Sequence, residues 1–188
     1  YIRLVVTRGA GTLGLRPFKC SNPSTFIIAD SIALYPQEMY DNGMAVIIAK
    51  TVRVSANMLD PCIKSLNYLN SVLAKREAKL RGADEALILN AAGAVAEASV
   101  ANVFTVRAGL LQTPPTTDGS LDGITRDSVF AIARSSGIEA SERTLSRIDL
   151  LRADEVFLTG TGARIVPVAS LDGQPVGGPE ALPGSRPV

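Results

Sequence analysis

The sequence predicts an α+β fold, on three observations. Short β-branched and aliphatic runs recur along the whole chain, two amphipathic helical segments interrupt them, and glycine or proline marks most of the junctions. No internal repeat or low-complexity linker breaks the series, so one α+β domain, with a fragment of another before Lys64, accounts for the chain. With 188 residues, 46% of them hydrophobic and 20% charged, and a formal net charge of +1, the composition is that of a globular protein with a sizeable core. It is not that of a disordered tail or a basic nucleic-acid-binding domain.

Taken in order, Tyr1 to Thr7 reads as a strand from its first residue, and Ser24 to Ala33 as a second. Pro36 to Asn42 reads as a short helix ended by Gly43, before a β-branched strand from Met44 to Val54. Asn67 to Arg81 is the clearest helix. Leu69, Val72, Leu73 and Leu80 are expected on its buried face, Lys75, Arg76 and Lys79 mostly on the other, and Gly82 as its stop. Glu85–Leu89, Ala94–Ala98 and Asn102–Val106 form a meander of short strands turned at Asn90-Ala91-Ala92-Gly93 and followed by Ala108-Gly109. Ile124 to Ser136, between Gly123 and Gly137, is the second long helix, with Val129, Ile132 and Ala133 as its apolar stripe. A strand from Ile138 to Thr144 and a brief helix from Arg147 to Leu151 follow. Glu155–Leu158 then turns through Thr159-Gly160-Thr161-Gly162 into a last strand from Ala163 to Ala169.

Two cysteines, Cys20 and Cys62, offer neither a disulfide framework nor paired zinc spacing, which predicts a reducing compartment, the cytoplasm, and no metal. No apolar run is long enough to span a bilayer and the start is neither a signal nor a transit peptide, so no membrane role is expected. The chain opens directly on a strand at Tyr1 and stops at Ser185-Arg186-Pro187-Val188 without a closing element, which reads as a piece of a longer protein.

The chain has no histidine, so acid-base work near neutral pH must fall to another group. Lys64, a lone amine in the apolar-and-amide run Pro61-Cys62-Ile63-Lys64-Ser65-Leu66-Asn67-Tyr68, is the natural candidate, since a neutral lysine amine also forms Schiff bases with carbonyls. Gly123-Ile124-Thr125-Arg126 puts amides and a hydroxyl at a helix start, where the dipole favours an anion, and Thr159-Gly160-Thr161-Gly162-Ala163 aims the same groups from a turn. Glu97 is the one carboxylate in the small, apolar strand Val95-Ala96-Glu97-Ala98-Ser99, placed to hold a cation such as a protonated ring nitrogen. Each has a plainer reading: a solvated lysine, a helix cap, a hairpin turn, an outward strand residue. Neither the Walker pattern nor the dinucleotide glycine fingerprint is present, which argues against NTP and NAD.

An amine, a carboxylate for a ring nitrogen and two phosphate sites are what pyridoxal phosphate requires. At these residues the chain resembles the fold-type IV pyridoxal-phosphate enzymes, the class IV aminotransferases, and most of all the branched-chain amino-acid aminotransferases. The likeness runs from Tyr1 to about Pro187 in the family's order, through IKSLNYLNSVLAKREA, GAVAEASVANVF, LLQTPP, GITRD and ADEVFLTGTGARIVPV. It implies a D-amino-acid aminotransferase-like fold, mostly the C-terminal large domain. Residues 1–34 would be the remnant of a small N-terminal α/β domain, 35–43 the interdomain connection and 44–188 the cofactor-binding domain, truncated at its end.

Residue by residue, the resemblance implies that Lys64 is the Schiff-base lysine and proton shuttle, Tyr68 the partner of the cofactor's phenolic oxygen, and Glu97 the carboxylate at the pyridine nitrogen. Ile124, Thr125 and Thr161 match the phosphate contacts, and Thr161, Gly162 and Ala163 the turn facing the substrate α-carboxylate. Tyr1 and Arg3 match the Tyr-x-Arg whose arginine meets the distal carboxylate of glutamate or 2-oxoglutarate. The implied activity is ping-pong transamination of leucine, isoleucine and valine with 2-oxoglutarate in a homodimer or higher homo-oligomer. Its partners are then small amino acids and 2-oxo acids. D-amino-acid aminotransferases and aminodeoxychorismate lyases share the fold and the IKSLN segment, and Arg8 also has a counterpart in the D-amino-acid enzymes. They stand as the alternatives, beside a non-catalytic module of the same fold. Two departures from the family are an upstream arginine for the phosphate, absent with the rest of the small domain, and Gly162 where related chains often carry alanine.

Overall fold

The computed structural model describes residues 1–178. The expected end of the domain, Ser185 to Val188, lies outside the described residues. The chain falls into two compact units that divide between Leu34 and Tyr35. The first is an antiparallel ribbon of β1 (Ile2–Thr7) and β2 (Ser24–Ala29), in register from Ile2 opposite Ala29 to Thr7 opposite Ser24. The second strand stops at Ala29 rather than continuing to Ala33, because Asp30 turns the chain and its carboxylate accepts the Ser31 N–H at 2.7 Å.

The second unit starts with α1 (Gln37–Asn42), stopped by Gly43 at φ +80°, where a Cβ would lie 2.9 Å from the Ala169 amide nitrogen. Two crossovers then organise the sheet. β3 (Met44–Ile48) passes through α2 (Leu69–Leu80) to the parallel β4 (Glu85–Leu89), which pairs with the antiparallel β5 (Val95–Ala98). Further on, β6 (Asn102–Arg107) and β7 (Leu110–Thr113) form a hairpin, and β7 passes through α3 (Ile124–Ser135) to the parallel β8 (Ala140–Glu142). After α4 (Arg147–Leu151) come β9 (Glu155–Gly160), β10 (Arg164–Leu171) and β11 (Gln174–Pro175). The order across the sheet is β5-β4-β3-β10-β9-β6-β7-β8, with β11 on β10. The α+β class read from the sequence is the class observed.

Both faces of this sheet are buried, and period-2 alternation sorts its side chains. Val46, Leu87, Val103, Val156 and Leu158 lie in one central core with Met44, Leu145 and Val166. Their neighbours face the helices: Ile47, Ala86 and Ile88 meet α2, while Phe104, Val106 and Phe157 meet α3. The Val95 N–H donates to Leu145 O at 2.8 Å, so the β5 edge meets the chain just past β8 at the far end of the strand order. The sheet is curled around its central core.

Several elements differ from the sequence reading, each for a local reason. The strand expected from Met44 to Val54 ends at Ile48, since the Lys50 N–H turns to the Glu77 carboxylate at 2.9 Å. Helix α2 buries Ser71, Ala74 and Ala78, whereas Leu69, Val72, Leu73 and Leu80 are exposed. Small side chains let its backbone sit close over Ile47, Ala86 and Ile88, and a leucine stripe would hold it away. In α3 Val129 and Ala133 are buried as expected and Ile132 is exposed. The third buried side chain there is Arg126, paired with Glu142 and donating to Pro114 O at 3.2 Å. Strands β7 and β11 were not legible as such, being short and rich in Gln, Thr and Pro.

Two polar devices hold the helices in place. Under α2, the fully buried Glu85 takes Lys75 Nζ at 2.8 Å, Ser99 Oγ at 2.6 Å and its neighbour's amide, Ala86 N–H, at 2.7 Å. At α4, Ser146 and Asp149 form a reciprocal capping box, and the Ser146 bonds, with help from Arg143, bring the Asp149 carboxyl down to about 2.

Helix α3 starts without a side-chain cap. Gly123 is its N-cap, and a Cβ there would come 2.1 Å from Asn102 Oδ1, while Asn102 Nδ2 is fixed on Leu121 O at 2.8 Å.

Two substitutions test this packing by urea unfolding. Ala78→Leu should lose about 1–3 kcal/mol by overpacking, while Leu80→Ala on the exposed side should stay within about 0.5 kcal/mol of the parent. Gly123→Ala should also destabilise, and removing the opposing amide in a Gly123→Ala/Asn102→Ala pair should recover part of the loss, a coupling that a double-mutant cycle reads directly.

Candidate active site

Lys64 stands on a chain of tight turns between β3 and α2. The Asp60 carboxylate accepts the Cys62 N–H at 2.9 Å, and Asp60 O accepts the Ile63 N–H at 3.0 Å. Tyr68 is the N-cap of α2, four residues on, and Lys64 Nζ donates to its hydroxyl at 3.1 Å. The lysine is exposed rather than enclosed by the apolar residues around it in sequence, and Ile63 and Leu66 are exposed as well. Its defining neighbour is the phenol.

Glu97 is the opposite case, 7% exposed in the middle of β5 and opposite Ile88 in β4. That register puts it on the sheet face that α2 covers. Oε1 meets Arg53 Nη2 at 2.5 Å, and Oε2 accepts the Leu121 N–H at 2.9 Å. Burial pushes the carboxyl above its ordinary range, and Arg53, the Leu121 amide and the charge of Lys64 pull it back. Lys64 and Glu97 thus share one electrostatic site.

The loop from Pro114 to Gly123 closes that site from the side of α3, and side chains from several elements fix its backbone. Asn90 Nδ2 donates to Asp118 O at 3.1 Å, Arg53 Nε to Gly119 O at 2.9 Å, Asn102 Nδ2 to Leu121 O and Arg126 Nη2 to Pro114 O. Between the two atoms held by Arg53 and Glu97 lies Ser120, whose hydroxyl is buried without a hydrogen-bond partner. The loop delivers α3, whose first ladder bond runs from the Asp127 N–H to Gly123 O at 3.0 Å. The amides of Ile124, Thr125 and Arg126 therefore precede the ladder, an arrangement suited to an anion.

The second expected anion turn shifts by two residues. Thr159 and Gly160 remain in β9, and Thr161, Gly162 and Ala163 make the turn into β10. Thr161 is exposed and Ala163 buried. A Cβ on Gly160 would lie 3.5 Å from Val100 O, so this turn sits beside the segment that follows Glu97. Tyr1 and Arg3 belong to the ribbon unit, where Arg3 is opposite Ile28 and Tyr1 O accepts the Asp30 N–H at 3.0 Å.

The residues that sequence reasoning missed are Arg53, Asn90, Asn102 and Arg126. Arg53 carried a usable signal: in Val52-Arg53-Val54 it is a lone cation in an apolar run, the mirror of Glu97 in its strand. The asparagines gave none, since their work is on backbone atoms distant in sequence. An exposed amine beside a phenol, a buried carboxylate and an uncapped helix start match in kind the aldehyde, ring nitrogen and phosphate of pyridoxal phosphate.

Comparison with known proteins gives the family. The family model for class IV amino-transferases matches residues 1–171. A putative branched-chain-amino-acid aminotransferase of Methanocaldococcus jannaschii is 48% identical over 174 residues, covering 93% of this chain and 59% of the relative. Among solved structures, the branched-chain amino acid aminotransferase of Escherichia coli superposes with a TM-score of 0.90 at 37% identity, over 94% of this chain and 59% of that one. The branched-chain amino acid aminotransferase of Thermobaculum terrenum, solved in its PLP form, does so with a TM-score of 0.86 at 36% identity, over 98% and 59%. The chain thus spans somewhat under two thirds of the length of these relatives, and across that span it belongs to the class IV aminotransferases.

Proposed function

We propose that the full-length protein is a pyridoxal-phosphate-dependent aminotransferase that exchanges the amino group of leucine, isoleucine or valine with 2-oxoglutarate. The observation that carries this is the convergence of Lys64–Tyr68, Glu97 and the open start of α3 within one compact unit of a class IV chain. Relatives of both kinds, sequence and structure, are branched-chain enzymes, and one of the structures is a PLP form.

In this reading the cofactor, when bound, supplies the electron sink that makes the substrate Cα proton acidic. Lys64 would hold it covalently, and the Lys64 Nζ is the group that would move the Cα proton. Tyr68, already bonded to Nζ, orients that amine and takes the phenolic oxygen of the ring. Glu97 holds the ring nitrogen as a cation. The amides of Ile124 and Thr125 and the hydroxyls of Thr125 and Thr161 bind the phosphate. The Thr161-Gly162-Ala163 turn binds the substrate α-carboxylate, and Tyr1 and Arg3 supply the contact to the distal carboxylate of glutamate.

Residues 1–34 belong in this account to the smaller domain and 35–43 to the connection, with the cofactor-binding domain from 44 onward. A homodimer or higher homo-oligomer is the assembly we infer. The two free cysteines support a reducing, cytoplasmic location, and no helix among the described residues is long and apolar enough to cross a membrane.

Two experiments on the full-length holoenzyme test the proposal. Borohydride treatment should fix a pyridoxyl group on the peptide that contains Lys64, and Lys64→Ala should abolish both label and leucine–2-oxoglutarate exchange; a label on another lysine would remove the central assignment. Arg3→Ala should lower kcat/KM for glutamate by roughly ten- to a hundredfold, the worth of a charged hydrogen bond, while leucine stays within a few-fold. Exchange of D-alanine in place of leucine would move the protein to the D-amino-acid branch of the family.

A further inference from the structure

We propose that Arg53 is a positioning residue that decides where the proton sits between Glu97 and the cofactor's ring nitrogen, keeping the carboxylate anionic and the nitrogen protonated. The inference rests on the assignment of Glu97 to that nitrogen and adds the group that makes the assignment work. A carboxylate as buried as Glu97 favours its neutral form, and a neutral acid facing the ring would leave the nitrogen without its proton. Two arrangements compete: an anionic carboxylate beside a protonated ring, and a neutral acid beside a neutral ring. Arg53 selects between them.

Its guanidinium touches Glu97 Oε1 directly at 2.5 Å. At that distance it favours the anionic carboxylate strongly. The Arg53 charge is the largest influence opposing burial at Glu97, ahead of the Leu121 amide and of Lys64. Both side chains of the pair are largely enclosed, 14% and 9% exposed, so water screens the contact little.

The guanidinium is also braced. Its Nε donates to Gly119 O while Glu97 Oε2 accepts the Leu121 N–H, so the ion pair is bolted to the loop that leads into α3. A lysine could supply the charge but not the fork that reaches both Glu97 and Gly119 O. Charge and brace are therefore separable by substitution.

The test uses full-length holoenzyme reconstituted with cofactor labelled with 15N at the ring nitrogen, and reads the protonation of that nitrogen from its chemical shift. Arg53→Met should move the resonance toward the unprotonated position, as Glu97→Gln should, and slow exchange of the leucine Cα proton by roughly ten- to a hundredfold. Arg53→Lys should hold the resonance near that of the parent while weakening cofactor retention. If Glu97→Gln shifts the resonance and a folded Arg53→Met does not, the role of Arg53 is overturned and that of Glu97 stands. If neither shifts it, the assignment of Glu97 itself fails. Should Arg53→Met not fold, Arg53→Lys decides alone: a resonance moved as far as in Glu97→Gln shows that the charge of Arg53 is not what holds the proton.

Discussion

The ion pair between Glu97 and Arg53 is the constraint around which the rest of the second unit is arranged. A carboxylate inside a strand, under a helix, loses several kcal/mol of hydration, and the structure supplies a guanidinium and a backbone amide in return. Supplying them dictates two chain paths. Arg53 reaches Glu97 because the chain, once β3 ends at Ile48, keeps to the side of β4, where the Ala49 N–H bonds Leu87 O at 2.9 Å and the Arg53 N–H bonds Leu89 O at 2.8 Å. Leu121 reaches it only because the loop before α3 crosses toward β5. The two segments that carry Lys64 and the open helix start are the same two that this pair draws together, so the site and its electrostatic support have one origin.

The crossover helices solve different packing problems on the two outer faces of the curled sheet. Helix α2 lies close on small residues and is tied to β4 from its middle by Lys75 on the buried Glu85, which also holds Ser99, while Tyr68 at its N-cap meets Lys64. Helix α3 packs through Val129 and Ala133 on the stacked pair Phe104–Phe157, with centroids 5.2 Å apart, and its buried Arg126 reaches back to Pro114 O. Arg126 thereby holds the entry of the same loop whose exit is Gly123. Each helix has one candidate-site segment at its N-terminal end, and in α3 the buried Arg126 anchors that end.

Much of this was legible in the sequence, and the parts that were not share a cause. Strand periods and glycine stops marked β4, β6, α1, α3 and α4 to within a residue or so, because burial on alternate faces and left-handed stops leave local marks. Lys64, Glu97 and the start at Ile124 stood out as residues at odds with their surroundings. The buried face of α2 did not, since the pattern rule assigns the largest apolar residues inward and here close approach selected alanine and serine instead. Arg53 was passed over because its partner lies 44 positions away, where only the folded sheet brings Val52-Arg53-Val54 against β5. Asn90 and Asn102 act on backbone carbonyls, a role that leaves no complementary side chain to be found.

The uncapped start of α3 shows the same constraint from the stability side. Helix N-termini favour a Ser, Thr, Asp or Asn cap, worth about 1 kcal/mol, and α4 has one in the Ser146–Asp149 box. At α3 the cap position is glycine, and the space a capping side chain would fill is taken by Asn102, which commits its amide to Leu121 O instead. The open amides are thus enforced by a packed neighbour rather than merely left over. A helix that forgoes its cap because the loop leading to it is clamped by Arg53, Glu97 and Asn102 keeps its positive end available to an anion, and the rigidity of the clamp means that little further ordering is needed when the anion arrives.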